Sequence, residues 1–172
     1  LALDYAHHQG VVHRDIKPAN IMFEAASDSV KVTDFGIARV TDASKTKTGI
    51  VLGTPSFMSP EQIAGKPVDG RSDLYSLGVT LYQMLSGRLP FEAASLTQLM
   101  YKITNTEPAD LRQYTDNLSP ELERVILTCL AKKPGQRYQT GGELASALQA
   151  AEASMSASVK AAPAAKPDIT LD

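Results

Sequence analysis

The run His13-Arg14-Asp15-Ile16-Lys17-Pro18-Ala19-Asn20 (HRDIKPAN) sets a carboxylate, an amine and an amide on one short stretch, and Asp34-Phe35-Gly36 follows fourteen residues after Asn20. Pro18 cannot sit inside a helix, so a loop is expected from His13 to about Asn20. Between the two motifs, Ile21 to Phe23 and Val30 to Val32 are short apolar or β-branched runs separated by polar Ser27-Asp28-Ser29, which predicts a hairpin. A hairpin returns the chain to where it started and so brings Asn20 and Asp34 together. An aspartate near a hydroxyl can take its proton, a lysine can neutralise a transferring phosphoryl group, and a carboxylate with an amide oxygen can hold Mg²⁺. Each part suits the movement of phosphate.

Upstream, Leu1, Leu3 and Tyr5 to Ala6 fit the last turns of an amphipathic helix, and Gly10 stands where a helix end takes positive φ. The chain opens on Leu1 without the basic start or apolar stretch of a signal peptide, so it is expected to begin inside a larger unit. Downstream, no period is sustained from Asp34 to Glu61, where Gly36, Gly49, Gly53, Pro55 and Pro60 interrupt the pattern; a loop that long is usually functional or disordered.

The second half is helical by pattern. Leu74, Leu77, Leu81, Met84 and Leu85 recur at spacings of three and four around Gly78 and Val79, predicting a central helix that is apolar over most of its circumference. Leu96, Leu99, Met100 and Ile103 form a second stripe. Ser119-Pro120 offers an N-cap and a first-turn proline ahead of Leu122, Val125, Ile126, Cys129 and Leu130. Thr140 with Glu143 fits a capping box for a last helix through Leu144, Ala147 and Leu148. From about Ser154 the composition turns to Ala, Ser, Pro and Lys, which reads as linker or disorder, so residues 1–152 are taken as the domain and 153–172 as a tail.

Composition agrees with one globular domain: 172 residues, 43% hydrophobic, 21% charged, net charge −2. That balance lacks the basic face of a nucleic-acid binder, and no run reaches the roughly 20 apolar residues of a membrane span. The single cysteine, Cys129, excludes an internal disulfide; on an apolar stripe it reads as an inert core thiol. His7 and His8, being adjacent, point to different sides of a helix, so packing or solvent is expected rather than a metal. Met84 and Met100 read as core.

Taken together the motifs resemble the C-terminal lobe of the protein kinase superfamily, in the wording of the bacterial eukaryotic-type (Hanks-type) Ser/Thr kinases. Five blocks match in order: HRDIKPAN at 13–20, DFG at 34–36, GTPSFMSPE at 53–61, DLYSLG at 73–78, and Arg137 after Pro134. The resemblance implies a mainly α-helical fold with small β-hairpins at the cleft, α+β only as part of the whole kinase. It implies Asp15 as catalytic base, Lys17 at the γ-phosphate, and Asn20 and Asp34 as ligands of Mg²⁺, or of Mn²⁺ in its place. Thr54 would complete the Ser/Thr version of the site, and Met22 would lie under the adenine of ATP. His13, Phe35 and Gly36 would be structural, with His13 and Phe35 in the packed spine. Arg14 would clamp a phosphate on the threonine-rich loop, with Thr48 and Thr46 as phosphosites, while Lys45 and Lys47 keep the unphosphorylated loop exposed. Glu61 and Arg137 would form a buried ion pair, and Asp73 would hold the catalytic loop through backbone amides. Ser59 and Lys133 depart from the commoner Ala and acidic residue of the family without removing a catalytic atom.

Only twelve residues precede His13, and none forms the glycine-rich loop, strand lysine or partner glutamate of the N-terminal lobe. The expectation is therefore a fragment of a kinase acting on protein Ser/Thr hydroxyls in a cytoplasmic, ATP-containing compartment. On its own the chain should transfer little phosphate and should expose an apolar face where the missing lobe would sit, favouring self-association. An anchor or sensor segment beyond residue 172 is compatible with the tail. The alternative is a natural binding or scaffold protein without the N-lobe, against which the intact Asp15, Lys17, Asn20 and Asp34 set weighs.

Overall fold

In the computed structural model the described residues are 2–35, 55–115 and 118–161, with side chains to 155. Gly36, Lys45, Thr46, Lys47, Thr48 and Thr54 lie outside the described residues, as does the part of the 153–172 tail from 162 onward. Helix α1 (Ala2–His8) closes at Gly10, whose φ of +72° lets Val11 N–H reach Ala6 O (2.9 Å) and Gly10 N–H reach His7 O (2.9 Å). This paired closure needs the left-handed residue that glycine supplies without a Cβ penalty. A 3-10 turn at Pro18–Asn20 leads into strands β1 (Ile21–Glu24) and β2 (Ser29–Val32), an antiparallel hairpin with Ile21 opposite Val32 and Phe23 opposite Val30. It is the one sheet among the described residues.

Helices α2 (Pro60–Ile63), α3 (Gly70–Ser86), α4 (Leu96–Asn105), α5 (Pro120–Cys129) and α6 (Gly141–Ala161) follow, with 3-10 turns at Pro55–Phe57, Leu111–Gln113 and Pro134–Gln136. Side-chain oxygens start them: Ser59, Asp69, Ser95 and Ser119 each accept an N–H from the first turn of their helix, answering donors that no intrahelical carbonyl can reach. Helix α3 is the axis. On one side Tyr75, Val79 and Tyr82 pack with Phe91, Ile103, Leu111, Ile126 and Leu130; on the other Leu74 packs with Leu3, Ile16, Val125, Cys129 and Leu144. A Cβ on Gly78 would stand 2.5 Å from Cys129 Cβ, so α3 and α5 meet closely because position 78 has no side chain.

Three expectations change. Met84 is 72% exposed and is not core: the core surface of α3 is made by Leu74, Tyr75, Val79 and Tyr82. The capping box at the last helix is half formed, since Thr140 Oγ1 accepts from Glu143 N–H (3.0 Å) but the Glu143 carboxylate takes Gln139 N–H (2.7 Å) instead of that of Thr140. And α6 does not end at the composition break near Ser154 but continues to Ala161, because alanine needs no packing partner to favour a helix.

Candidate active site

The loop from His13 to Asn20 is held by a carboxylate beneath it. Asp73, in the first turn of α3 and almost wholly buried, accepts the backbone N–H of His13 on Oδ2 (2.8 Å) and of Arg14 on Oδ1 (2.7 Å). The Oδ2 atom also accepts Nε2–H of His7 at 2.9 Å. His13 is buried, with its ring Nδ1 accepting from Asp15 N–H (3.2 Å) and Nε2–H donating to Thr33 O (2.8 Å), which fixes one tautomer. Its ring lies 4.8 Å from that of Phe35 in a tilted aromatic pair.

Asp15 Oδ2 receives Lys17 Nζ (2.9 Å) and Asn20 Nδ2 (3.3 Å), and Asn20 Nδ2 also donates to Asp15 O (2.8 Å). The buried Asn20 thus commits its NH₂ to Asp15 and keeps its Oδ1 as an acceptor. Because Thr33 N–H donates to Asn20 O (2.9 Å), the hairpin delivers exposed Asp34 beside Asn20. An amide oxygen and a carboxylate are the hard oxygen donors that suit Mg²⁺, so the residues present fit that ion. Arg14 (φ +69°) and Asp34 (φ +57°) hold left-handed backbone without being glycine, a conformation costing about 1–3 kcal/mol that persists where surrounding bonds over-determine it.

A second polar frame sits below. Arg137 makes a fork to Glu61 at 2.7 and 2.8 Å, and its other N–H groups reach the carbonyls of Ala131 (2.8 Å), Arg71 (3.1 Å) and Lys132 (3.1 Å), so all five donors are used. Its guanidinium carbon lies 4.9 Å from the centre of the Tyr75 ring, and Ser72 Oγ donates to Glu61. Burial alone would raise the Glu61 carboxyl; the hydrogen bonds from Arg137 and Ser72, with the Arg137 charge, outweigh it and hold that carboxyl below its usual range.

Apart from Met22 and Arg14, the site residues read from the sequence fall into three groups. Asp15, Lys17 and Asn20 are joined by hydrogen bonds, with Asp34 set beside Asn20 by the hairpin; His13, Phe35, Asp73, Glu61 and Arg137 pack or bond around them; Thr54, Thr46, Thr48 and Gly36 lie outside the described residues. Met22 does not join the polar group and stands 60% exposed on β1. The exposed Arg14 side chain projects from a residue whose own backbone N–H and carbonyl are both engaged. Two participants were not read from the sequence. His7 gave no signal, since its partner is 66 positions away. Gln62 did: Ser59-Pro60-Glu61-Gln62 is a capping-box pattern, and its Nε2 reaches Arg14 O at 2.9 Å.

A protein-family profile described as the protein kinase domain matches residues 1–151. Over 146 residues the chain is 46% identical to serine/threonine-protein kinase PknB of Mycobacterium tuberculosis, covering 83% of this chain and 23% of that protein. A probable serine/threonine-protein kinase of Corynebacterium efficiens is 45% identical over 155 residues, covering 86% of this chain and 23% of the relative. The kinase pkn3 of Myxococcus xanthus is 45% identical over 161 residues, with coverage of 88% and 29%. The chain spans about a quarter of the length of these curated relatives. Among solved structures, Rad53 residues 1–466 in complex with AMP-PNP superposes with a TM-score of 0.68 at 29% identity, covering 83% of this chain and 35% of that one.

Proposed function

Since this chain belongs to the protein kinase family, we propose that it is the substrate-side lobe of a serine/threonine kinase that moves the γ-phosphoryl group of ATP to protein Ser or Thr hydroxyls. The observation that carries the reading is the loop geometry, in which one oxygen of Asp15 is held by Lys17 Nζ (2.9 Å) and Asn20 Nδ2 (3.3 Å). Asp15 orients an incoming hydroxyl and takes its proton; Lys17, next to that oxygen, offsets charge on the phosphoryl oxygens. Asn20 Oδ1 and the Asp34 carboxylate would hold Mg²⁺ or Mn²⁺, which supplies charge neutralisation to the nucleotide phosphates when bound. Met22 offers an apolar surface to the adenine, and Thr54 completes the hydroxyl side of the site. Thr48 and Thr46 are the regulatory phosphosites, with the exposed Arg14 guanidinium as their clamp.

The kinase unit is placed at residues 1–152, with 153–172 as its connection onward, in a cytoplasmic setting. No helix among the described residues is long and apolar enough to cross a membrane. The family's nucleotide clamp lies on a lobe these residues do not supply, so the isolated chain should transfer little phosphate. A scaffold needs only its surface, and the intact Asp15, Lys17, Asn20 and Asp34 set weighs against that alternative. The test is intact-mass analysis after Mg-ATP treatment of this chain, of the product extended by the coding sequence upstream of Leu1, and of the extended Asp15→Asn variant. Phosphate on the extended protein alone, lost in Asp15→Asn by about a hundredfold or more, is expected. Equal phosphate on Asp15→Asn would sink the reading.

A further inference from the structure

Arg14 C=O and Asp15 N–H belong to one peptide plane, and such a plane moves as a unit. Its N–H end donates to His13 Nδ1 (3.2 Å) and its carbonyl end accepts from Gln62 Nε2 (2.9 Å). The plane follows a left-handed residue, Arg14 at φ +69°, so it needs restraint to stay where it is. Gln62 is itself fixed from the other side: its Oε1 accepts from Ser59 N–H (2.9 Å), while Ser59 Oγ accepts from Gln62 N–H (3.3 Å). Only one orientation of the amide gives Ser59 an acceptor and Arg14 a donor, so the network itself assigns its oxygen and nitrogen. Glu61, the preceding residue, is pinned by the fork from Arg137. One half-buried amide thus spans segments 48 positions apart in the chain.

We propose that Gln62 is a positioning residue for Asp15: it fixes the peptide plane that carries the base and ties that plane to the Ser59–Gln62 segment. The aim of the carboxylate and the seating of that segment are then set by a single side chain. This rests on the reading of Asp15 as the base.

Gln62→Glu separates positioning from structure. A glutamate keeps the acceptor for Ser59 N–H in a Ser-x-x-Glu capping box but has no N–H for Arg14 O. Gln62→Met loses both. Amide hydrogen exchange and thermal unfolding of this chain are measured for both variants, and kcat and KM for a peptide substrate are measured in the full-length protein. Gln62→Glu is expected to lower the unfolding midpoint by no more than the loss of one exposed hydrogen bond does, while Asp15 N–H exchanges about fivefold faster and kcat falls with little change in KM. Gln62→Met should show the same changes together with a still lower midpoint. Unchanged Asp15 exchange in Gln62→Glu overturns the proposal, as does faster exchange with unaltered kcat. The exchange experiment needs no phosphotransfer, so it reports the coupling even where Asp15→Asn has shown the kinase reading to fail.

Discussion

Between His13 and Asn20 the backbone is bonded from several directions: two amides end on Asp73, the Arg14 carbonyl on Gln62 and the Asp15 carbonyl on Asn20. One residue later the hairpin starts, and there Met22, Phe23 and Val30 are 60%, 64% and 61% exposed. The loop ties its polar backbone inward through named hydrogen bonds, whereas the strands turn large apolar side chains outward. A segment bonded in this way is fixed from within, whereas an open apolar surface is the kind that takes a partner. The two regions adjoin in sequence, so the difference reflects what each has to meet.

The comparison breaks most severely at the frame under the loop. Arg137→Ala strands the buried Glu61 carboxylate and should cost about 3–5 kcal/mol in urea unfolding; a loss below about 1 kcal/mol would show that water reaches Glu61. Next, Asp73→Ala orphans the His13 and Arg14 amides and should cost about 2–4 kcal/mol, with faster exchange at both amides and no change in the hairpin. If the loop stays protected, Asp73 is not what holds it.

A pH titration sharpens the same contrast with a smaller effect. The Glu61 carboxyl lies below its usual range when folded, so its contribution is complete above the unfolded value near 4.5 and is lost as pH falls through the folded value. Burial pushes the Cys129 thiol up to about 12, so its contribution is complete below about 9 and is lost as pH rises from there toward 12. Unfolding midpoints should therefore fall at both extremes, and Glu61→Gln should flatten the acid limb; an unchanged acid limb in that variant would discount the carboxylate. The smallest effect belongs to the strands. Met22→Lys with Phe23→Ser should alter stability by no more than about 0.5 kcal/mol per site yet reduce self-association in light scattering, and a chain equally dispersed before and after would show that this face is not adhesive.

Much of this was legible beforehand, for physical reasons that differ by residue. The hairpin, Ser119-Pro120 and Gly10 were readable because turn and cap chemistry is local. The Glu61–Arg137 fork was readable only through the family resemblance, since nothing local joins positions 61 and 137. His7 on Asp73 escaped notice for the same reason. Met84 misled because a period of three and four identifies a helix face but not which part of it a neighbour covers. The end of α6 misled because composition registers loss of a core before it registers loss of a helix.

The close approach of α3 and α5 at Gly78 has a practical corollary. It shuts away the only thiol in the chain, Cys129, at 0% exposure. An aqueous alkylating reagent can reach that sulfur only when the two helices part, so the rate of labelling is a stopwatch for opening at the centre of the molecule. The untouched protein already carries its own reporter, and any variant can be timed with it without adding a dye or a tag.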